Sequence, residues 1–203
     1  MWYRSNRLRS DEGGFTLVEL LITFIVVVMV SITFVTLFKT TLTGFLNMQT
    51  DASGAVQINT QANRIASVLR GTTGIVSVAT NDMVLYSYFY PSDAFVSQLH
   101  YYLVTANGQT RLQADLIPMS ANPPTGTLIT AKKRTFTIID NYYNAPGVTL
   151  FVYLDASGKA LSLPITDLQT IKGVQVTLAA KTSNSSNQTM SIQVSLRNRK
   201  TNL

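Results

Sequence analysis

The chain has 203 residues, of which 46% are hydrophobic and 13% are charged, with a formal net charge of +6 and no cysteine. This length suits one globular domain with an appendage, because domains usually run to about 100–200 residues. A cysteine-free sequence excludes disulfides and thiolate metal sites, and its charge content, well below the quarter that is typical of soluble chains, indicates that part of the chain lies in an apolar setting.

The amino-terminal part combines a polar, basic leader with a long apolar run. Residues 1–14 carry three arginines, whereas residues 15–38 carry a single charged side chain, Glu19. A helix over residues 15–38 would span about 36 Å, more than the roughly 30 Å hydrocarbon core of a bilayer. The sequence therefore predicts a transmembrane helix there, with the basic leader in the cytoplasm and the rest of the chain outside.

Glu19 is unusual within that run. An acidic side chain inside a membrane helix costs about 2.5–3.5 kcal/mol on insertion scales and generally has a partner. Judged from the residues alone, two interpretations stay open: the carboxylate reaches out to the membrane interface, or it meets a cationic group within the membrane.

Residues 13–21 read GGFTLVELL, in which an aromatic residue follows glycine and a glutamate stands four positions further on. This segment resembles the processing motif of type IV prepilins and type II secretion pseudopilins. The resemblance implies that a prepilin peptidase cleaves between Gly14 and Phe15, that the new amino group of Phe15 is methylated, and that Glu19 meets the Phe15 amine of an adjoining subunit. An α-amino group ordinarily has a pKa near 8, so this pair would neutralise two charges in a low-dielectric medium.

A periodic pattern continues after the apolar run. Apolar residues recur every three or four positions from Phe45 to Leu69, with polar residues on the other faces. The sequence predicts an amphipathic continuation of the helix over residues 39–71, with Gly71 as its stop. Gly44 leaves an alternative open, namely two helices separated by a loop at that position.

Residues 72–203 change to short runs rich in Val, Ile, Thr, Tyr and Phe with turn residues between them, which predicts a β-rich domain. The predicted strands cover residues 75–79, 83–90, 96–104, 110–117, 135–139, 149–154, 159–163, 174–180 and 190–197. Asn107-Gly108 and residues 155–158 supply hairpin turns, and the last two strands each present an apolar face. The predicted fold class is α+β and pilin-like, with the long N-terminal helix packed against an antiparallel β-sheet domain.

The sequence contains few residues that could form a catalytic or metal-binding site. His100 is the only histidine, so a His-based triad or a multi-His metal site cannot form within one chain, and a packed or strand-surface role is favoured. Asp140-Asn141 with Asn144, or Asp155 with Ser157, could supply calcium ligands, but turn chemistry accounts better for both clusters. The sequence predicts neither an enzyme nor a cofactor nor a metal site.

Aromatic and basic residues offer another alternative, because such side chains can bind nucleic acid. The basic cluster is Lys132, Lys133 and Arg134, and the aromatic set is Tyr86, Tyr88, Phe89, Tyr90, Tyr101, Tyr102, Tyr142 and Tyr143. Sheet faces and solvated surfaces use the same residue types, so nucleic acid is only weakly indicated as a partner.

Residues 147–158, 171–178 and 196–198 look, more loosely, like the carboxyl end of larger minor pilins and J-type minor pseudopilins. The sequence thus predicts a minor pilin or pseudopilin that is held in the membrane by one span and then enters a periplasmic or extracellular filament. The resemblance implies three kinds of partner: the prepilin peptidase, other pilins and an inner-membrane assembly platform. Two alternatives remain, a DNA- or surface-binding pilin for competence or adhesion, and an unprocessed, single-pass anchored adhesin.

Overall fold

The structure is a computed structural model that describes residues 14–143, 146–180 and 187–197. Its elements are the helix α1 (Leu17–Arg70) and the strands β1 (Gly74–Val78), β2 (Asp82–Ser87), β3 (Ser97–Ala106), β4 (Gln109–Pro118), β5 (Arg134–Ile139), β6 (Phe151–Leu154), β7 (Gly173–Ala180) and β8 (Gln188–Ser195). Two 3-10 turns, Thr130–Lys132 and Leu168–Thr170, precede β5 and β7. The chain divides into two compact units, Met1–Asn47 and Met48–Leu203, and α1 contributes to both.

The helix α1 passes through Gly44 without interruption, so the alternative of two helices separated by a loop there is wrong. The helix ends at Arg70, and the glycine that was predicted as its stop is the next residue. The backbone N–H of Gly71 donates to the carbonyl of Val68 at 3.0 Å, and that of Thr72 to the carbonyl of Leu69 at 3.1 Å. These bonds tighten the last turn and satisfy two of its carbonyls, and the carbonyl of Val68 also accepts the Ser87 hydroxyl at 2.6 Å.

In the second unit, one face of α1 belongs to the hydrophobic core. Ile58, Ala62, Ile65 and Leu69, three or four residues apart, are at most 3% exposed. The amphipathic pattern had placed the beginning of this stripe further upstream, but Phe45 is 63% exposed. The periodicity identifies the side chains that need an apolar neighbour, whereas burial within this chain begins only at Ile58.

The first sheet has five antiparallel strands in the order β1-β2-β3-β4-β5. Its longest hairpin joins β3 to β4 through Asn107 and Gly108, which have φ angles of 53° and 75°. Two successive positive φ angles are the signature of a type I′ turn, whose twist matches that of paired strands. The hairpin predicted from Asn107-Gly108 is therefore confirmed.

The second sheet has three strands in the order β6-β7-β8. Val174 pairs with Val194 and Val176 with Ile192, which confirms the predicted final hairpin and its shared apolar face. The sequence predicted one sheet, whereas the strands form two. They are joined by backbone and side-chain bonds: Phe151 N–H donates to the Thr80 carbonyl at 3.0 Å, for example.

The predicted strand over residues 159–163 is wrong. Only one isolated bridge forms, between Leu154 and Ala160. The preceding residues fold into a tight turn instead, because the Asp155 carboxylate accepts the backbone N–H groups of Ser157 and Lys159 at 2.8 and 2.9 Å. Pro164 follows shortly afterwards, and since it has no N–H it cannot continue a strand ladder.

Candidate functional site at the start of the apolar helix

The residues predicted as a processing and assembly site lie at the amino-terminal end of α1. Gly14 and Phe15 precede the helix, and the leader residues 1–13 lie outside the described residues. Thr16 caps the helix: its Oγ1 accepts the N–H of Glu19 at 3.3 Å, and its carbonyl accepts the N–H of Leu20 at 3.1 Å. Glu19 therefore stands in the first helical turn, four residues after Phe15.

This capping role was missed in the sequence analysis, although the signal is readable. Thr16 and Glu19 form the Thr-x-x-Glu spacing that is typical of a helix start. A carboxylate in the first turn is also favoured by the partial positive charge that a helix carries at its N-terminus. The local fold thus explains part of the presence of Glu19, since the residue is suited to this position before any partner is considered.

The Glu19 carboxylate has no partner of its own in the part of the chain that the structure describes: no hydrogen bond or ion pair of its oxygens is found there. It stands among apolar side chains that are themselves exposed, such as Leu17 at 82% and Leu20 at 63%. A carboxylate in apolar surroundings is stabilised by a cationic partner, and none lies among the described residues.

The apolar face of α1 extends far beyond this first turn. Every large hydrophobic side chain from Phe15 to Phe38 is exposed, from 38% for Val28 to 82% for Leu17. Exposed apolar area is unfavourable in water by about 25 cal/mol per Å². By its length and composition α1 is a candidate to cross a membrane, and among the described residues it is the one helix that qualifies.

The hydroxyl groups in this segment are compatible with a membrane-spanning helix. Thr23 Oγ1 donates to the carbonyl of Glu19 at 2.7 Å, and Ser31 Oγ donates to that of Val27 at 2.7 Å. The hydroxyls of Thr33 and Thr36 likewise donate to the carbonyl four residues earlier in the helix. Each hydroxyl is therefore satisfied within its own helix, as a hydrocarbon medium requires.

A second group of polar residues lies on the solvent face of the five-stranded sheet. His100 Nε2 lies 2.6 Å from Asp82 Oδ2, and its ring stacks on Tyr102 with centroids 4.5 Å apart. The Tyr102 hydroxyl donates to Asp115 Oδ1 at 3.2 Å. His100 is a strand-surface residue, as the sequence analysis favoured, and its nearest titratable partner is a carboxylate.

Asp155 and Ser157 form a turn, which is the interpretation that the sequence favoured over calcium binding. Asp155 Oδ1 also accepts the Ser157 hydroxyl at 2.7 Å, and the Ser157 and Lys159 bonds lower the pKa of Asp155. Asp140 pairs with Arg111 at 2.7 Å, and Asn144 lies outside the described residues. Across the described ranges, no group of three or more His, Cys, Asp or Glu side chains could hold a metal ion.

Asp115 is the most deeply buried of the described acidic side chains, at 6% exposure. Burial alone would raise its pKa, but Lys133 Nζ at 2.8 Å and the Thr135 hydroxyl at 2.6 Å outweigh burial, and the pKa falls below the ordinary 3.8. A carboxyl whose pKa is lowered by folding stabilises the folded state above its unfolded pKa, and this stabilisation is lost as the pH falls through the folded-state value.

We therefore expect Asp115→Asn to lower the free energy of unfolding by about 1–3 kcal/mol at pH 7, the range for leaving buried hydrogen-bonding groups unsatisfied. The difference from the unmodified chain should shrink as the pH falls from 3.8, the pKa of an ordinary carboxyl, through the lower pKa of the folded state, because a protonated Asp115 carries no charge, like asparagine. Urea unfolding at several pH values measures it. Asp140→Asn, which removes an exposed ion pair, is the control and should cost at most about 1 kcal/mol.

Comparison with protein-family models, with curated proteins and with solved structures finds no match for this chain. A long, exposed apolar helix near the N-terminus, followed by a β-sheet domain, is compatible with a pilin-like protein.

Proposed function

We propose that the chain is a minor pilin or pseudopilin, a structural subunit that is processed by a prepilin peptidase and assembled into a filament through its N-terminal helix. One observation carries the proposal most directly. The Glu19 carboxylate, without a partner among the described residues, stands in the first turn of an exposed apolar helix, four residues after the aromatic residue of a segment that resembles a Gly-Phe processing motif.

Cleavage after Gly14 would add a charged group to the site. It would place a free amine on Phe15, immediately before the cap residue Thr16 and close to the end of the helix. A cation at a helix N-terminus is opposed by the partial positive charge of that end, whereas the carboxylate of a neighbouring subunit would compensate it. The Glu19 of one subunit and the Phe15 amine of the next are therefore complementary, and their pairing would set the axial register.

The exposed apolar side chains of α1 supply the remaining driving force. In the membrane they would face lipid, and in a filament they would pack against the same surface of other copies. A contact that joins two different patches of identical subunits produces an open helical assembly when its rotation does not close. The subunit would be stored as a single-pass protein, with residues 1–14 in the cytoplasm, until an assembly platform extracts it.

The amino-terminus of the mature chain tests the proposal. When the full chain is produced together with a prepilin peptidase, mass spectrometry should find a mature N-terminus at Phe15, with one methyl group on its amine. Replacing Gly14 by valine should abolish processing, because the branched side chain adds bulk directly beside the bond to be cleaved and removes the backbone freedom of glycine.

Ser10→Ala, in the same leader, is the matched control and should be processed normally. Retention of Met1 in the unmodified chain, in the presence of an active peptidase, would contradict the proposal. That outcome would favour the anchored adhesin, which needs no leader cleavage.

A further inference from the structure

The basic cluster Lys132, Lys133 and Arg134 is divided between two faces of the domain. Lys133 Nζ pairs with Asp115 Oδ2 at 2.8 Å on the solvent face of the sheet. Lys132 ends a 3-10 turn and Arg134 begins β5. Both line a groove to which Lys133 does not contribute. Both are exposed, and within the described ranges neither forms an ion pair.

These two cations line a groove of about 280 Å³ that also has aromatic walls. The principal lining residues are Tyr90, Phe95, Leu116, Met119, Lys132 and Arg134. Tyr90 and Phe95 are 45% and 44% exposed, whereas most other aromatic residues of the second unit are largely covered. The groove therefore combines exposed ring surface with unpaired positive charge.

The position of Tyr90 is held by its neighbours. Its ring meets Phe89 edge to face, with centroids 4.7 Å apart at 87°. Phe89 in turn stacks on Phe136 at 5.4 Å and carries the guanidinium of Arg64 at 4.8 Å from its centre. Such an arrangement limits the ring's freedom before a ligand arrives, which lowers the entropy cost of binding.

The groove contains one acidic residue, Asp93, and that residue is engaged by its own loop. Asp93 Oδ2 accepts the backbone N–H of Tyr90 at 2.9 Å, and the N–H of Asp93 donates to the Tyr90 carbonyl at 3.1 Å. Two cations against one anion leave the groove positive. An anionic ligand is therefore favoured there.

We propose that this groove binds single-stranded nucleic acid, with Lys132 and Arg134 contacting phosphates and Phe95 and Tyr90 stacking on bases. A positive groove with exposed aromatic rings is the arrangement that recognises single strands without sequence preference. An acidic peptide would satisfy the charges but offers no flat π surface to the rings, and a duplex encloses its bases. The inference rests on the surface of the second unit and not on the role of the apolar helix.

The charge contribution can be tested with the full chain in detergent micelles and a fluorescent oligothymidylate of about 12 nucleotides. Anisotropy titrations over a range of salt concentrations give the slope of log K against log salt, which amounts to about −0.7 per phosphate contact for single strands. The double variant Lys132→Gln, Arg134→Gln should reduce the magnitude of that slope by about 1.4. Lys159→Gln with Arg197→Gln removes the same charge from exposed positions elsewhere and should retain the original slope.

Stacking needs a separate variant. Phe95→Leu keeps an apolar side chain but removes the ring, and it should weaken binding at least about fivefold, the lower end of the range for one lost base–aromatic stack. Phe95→Tyr keeps the ring and should bind as the unmodified chain does.

Four outcomes would overturn the proposal. They are absence of oligonucleotide binding at about 50 mM salt, equal loss in both double variants, equal affinity for a duplex of the same length, and an affinity for a polyglutamate peptide that matches the oligonucleotide. The last would assign the groove to acidic peptides. None of these measurements depends on leader cleavage. The proposals of filament assembly and of nucleic-acid binding can therefore be refuted independently of each other.

Discussion

Replacing Glu19 by glutamine is expected to stop the subunit from entering filaments while leaving membrane insertion and leader cleavage intact. Glutamine keeps the length and position of the side chain but lacks the charge that would compensate the Phe15 amine of a neighbour. Removing one partner of a buried ion pair costs about 3–5 kcal/mol, which lowers the equilibrium for subunit addition more than a hundredfold. Immunoblots of sheared filaments and of the membrane fraction, compared at equal expression, measure the partition.

Thr23→Val provides a control one turn further along the same face of α1. The Thr23 hydroxyl is already bonded to the carbonyl of Glu19 at 2.7 Å, so its removal takes away no group that could meet another subunit. This variant should enter filaments normally. If Glu19→Gln were incorporated as efficiently as Thr23→Val, the part of the carboxylate in assembly would be refuted, and only its favourable position at the helix N-terminus would remain.

The second large effect concerns the domain core. Leu69→Ala is expected to lower the free energy of unfolding by about 2–5 kcal/mol, the range for a buried leucine that leaves a cavity. Leu69 is 0% exposed and belongs to the core cluster that includes Leu85, Leu99 and Leu112 from the first sheet. Urea unfolding of the full chain in detergent, followed by the near-UV circular dichroism of the domain tyrosines, measures the change.

Val56→Ala is the matched control on the same helix. Val56 is 67% exposed, and alanine has the higher helix propensity, so this change should alter the free energy of unfolding by less than about 0.5 kcal/mol. Equal destabilisation by the two substitutions would mean that the helix is not part of the cooperative core of the second unit.

The helix and several strands could be predicted because their signals are local. The apolar run after Gly14 marks a helix by length alone, and Asn107-Gly108 specifies a type I′ turn since both residues adopt positive φ readily. The final hairpin followed from alternating apolar residues in each strand. By contrast, residues 159–163 had strand composition, and the side-chain bonds of Asp155 decided against a strand.

The candidate site likewise has a part that is recognisable in the sequence and a part that is not. Gly14, Phe15 and Glu19 were singled out because residues 13–21 resemble a prepilin processing motif, and the Thr16 cap was readable from its spacing to Glu19. Pairing of Glu19 with the Phe15 amine of another subunit is a proposal that a single chain cannot test, because the chain contains only one half of the contact.

The sequence by itself determined where apolar surface would occur, where turns would form and which carboxylate would stand among apolar side chains, since these depend on residues near in the chain. Only the tertiary structure decided that the strands form two sheets, and that Lys133 is neutralised by Asp115 while Lys132 and Arg134 line an aromatic groove. Such arrangements depend on contacts between residues that are distant in sequence. The composition of the chain does not determine which charges form ion pairs through those contacts.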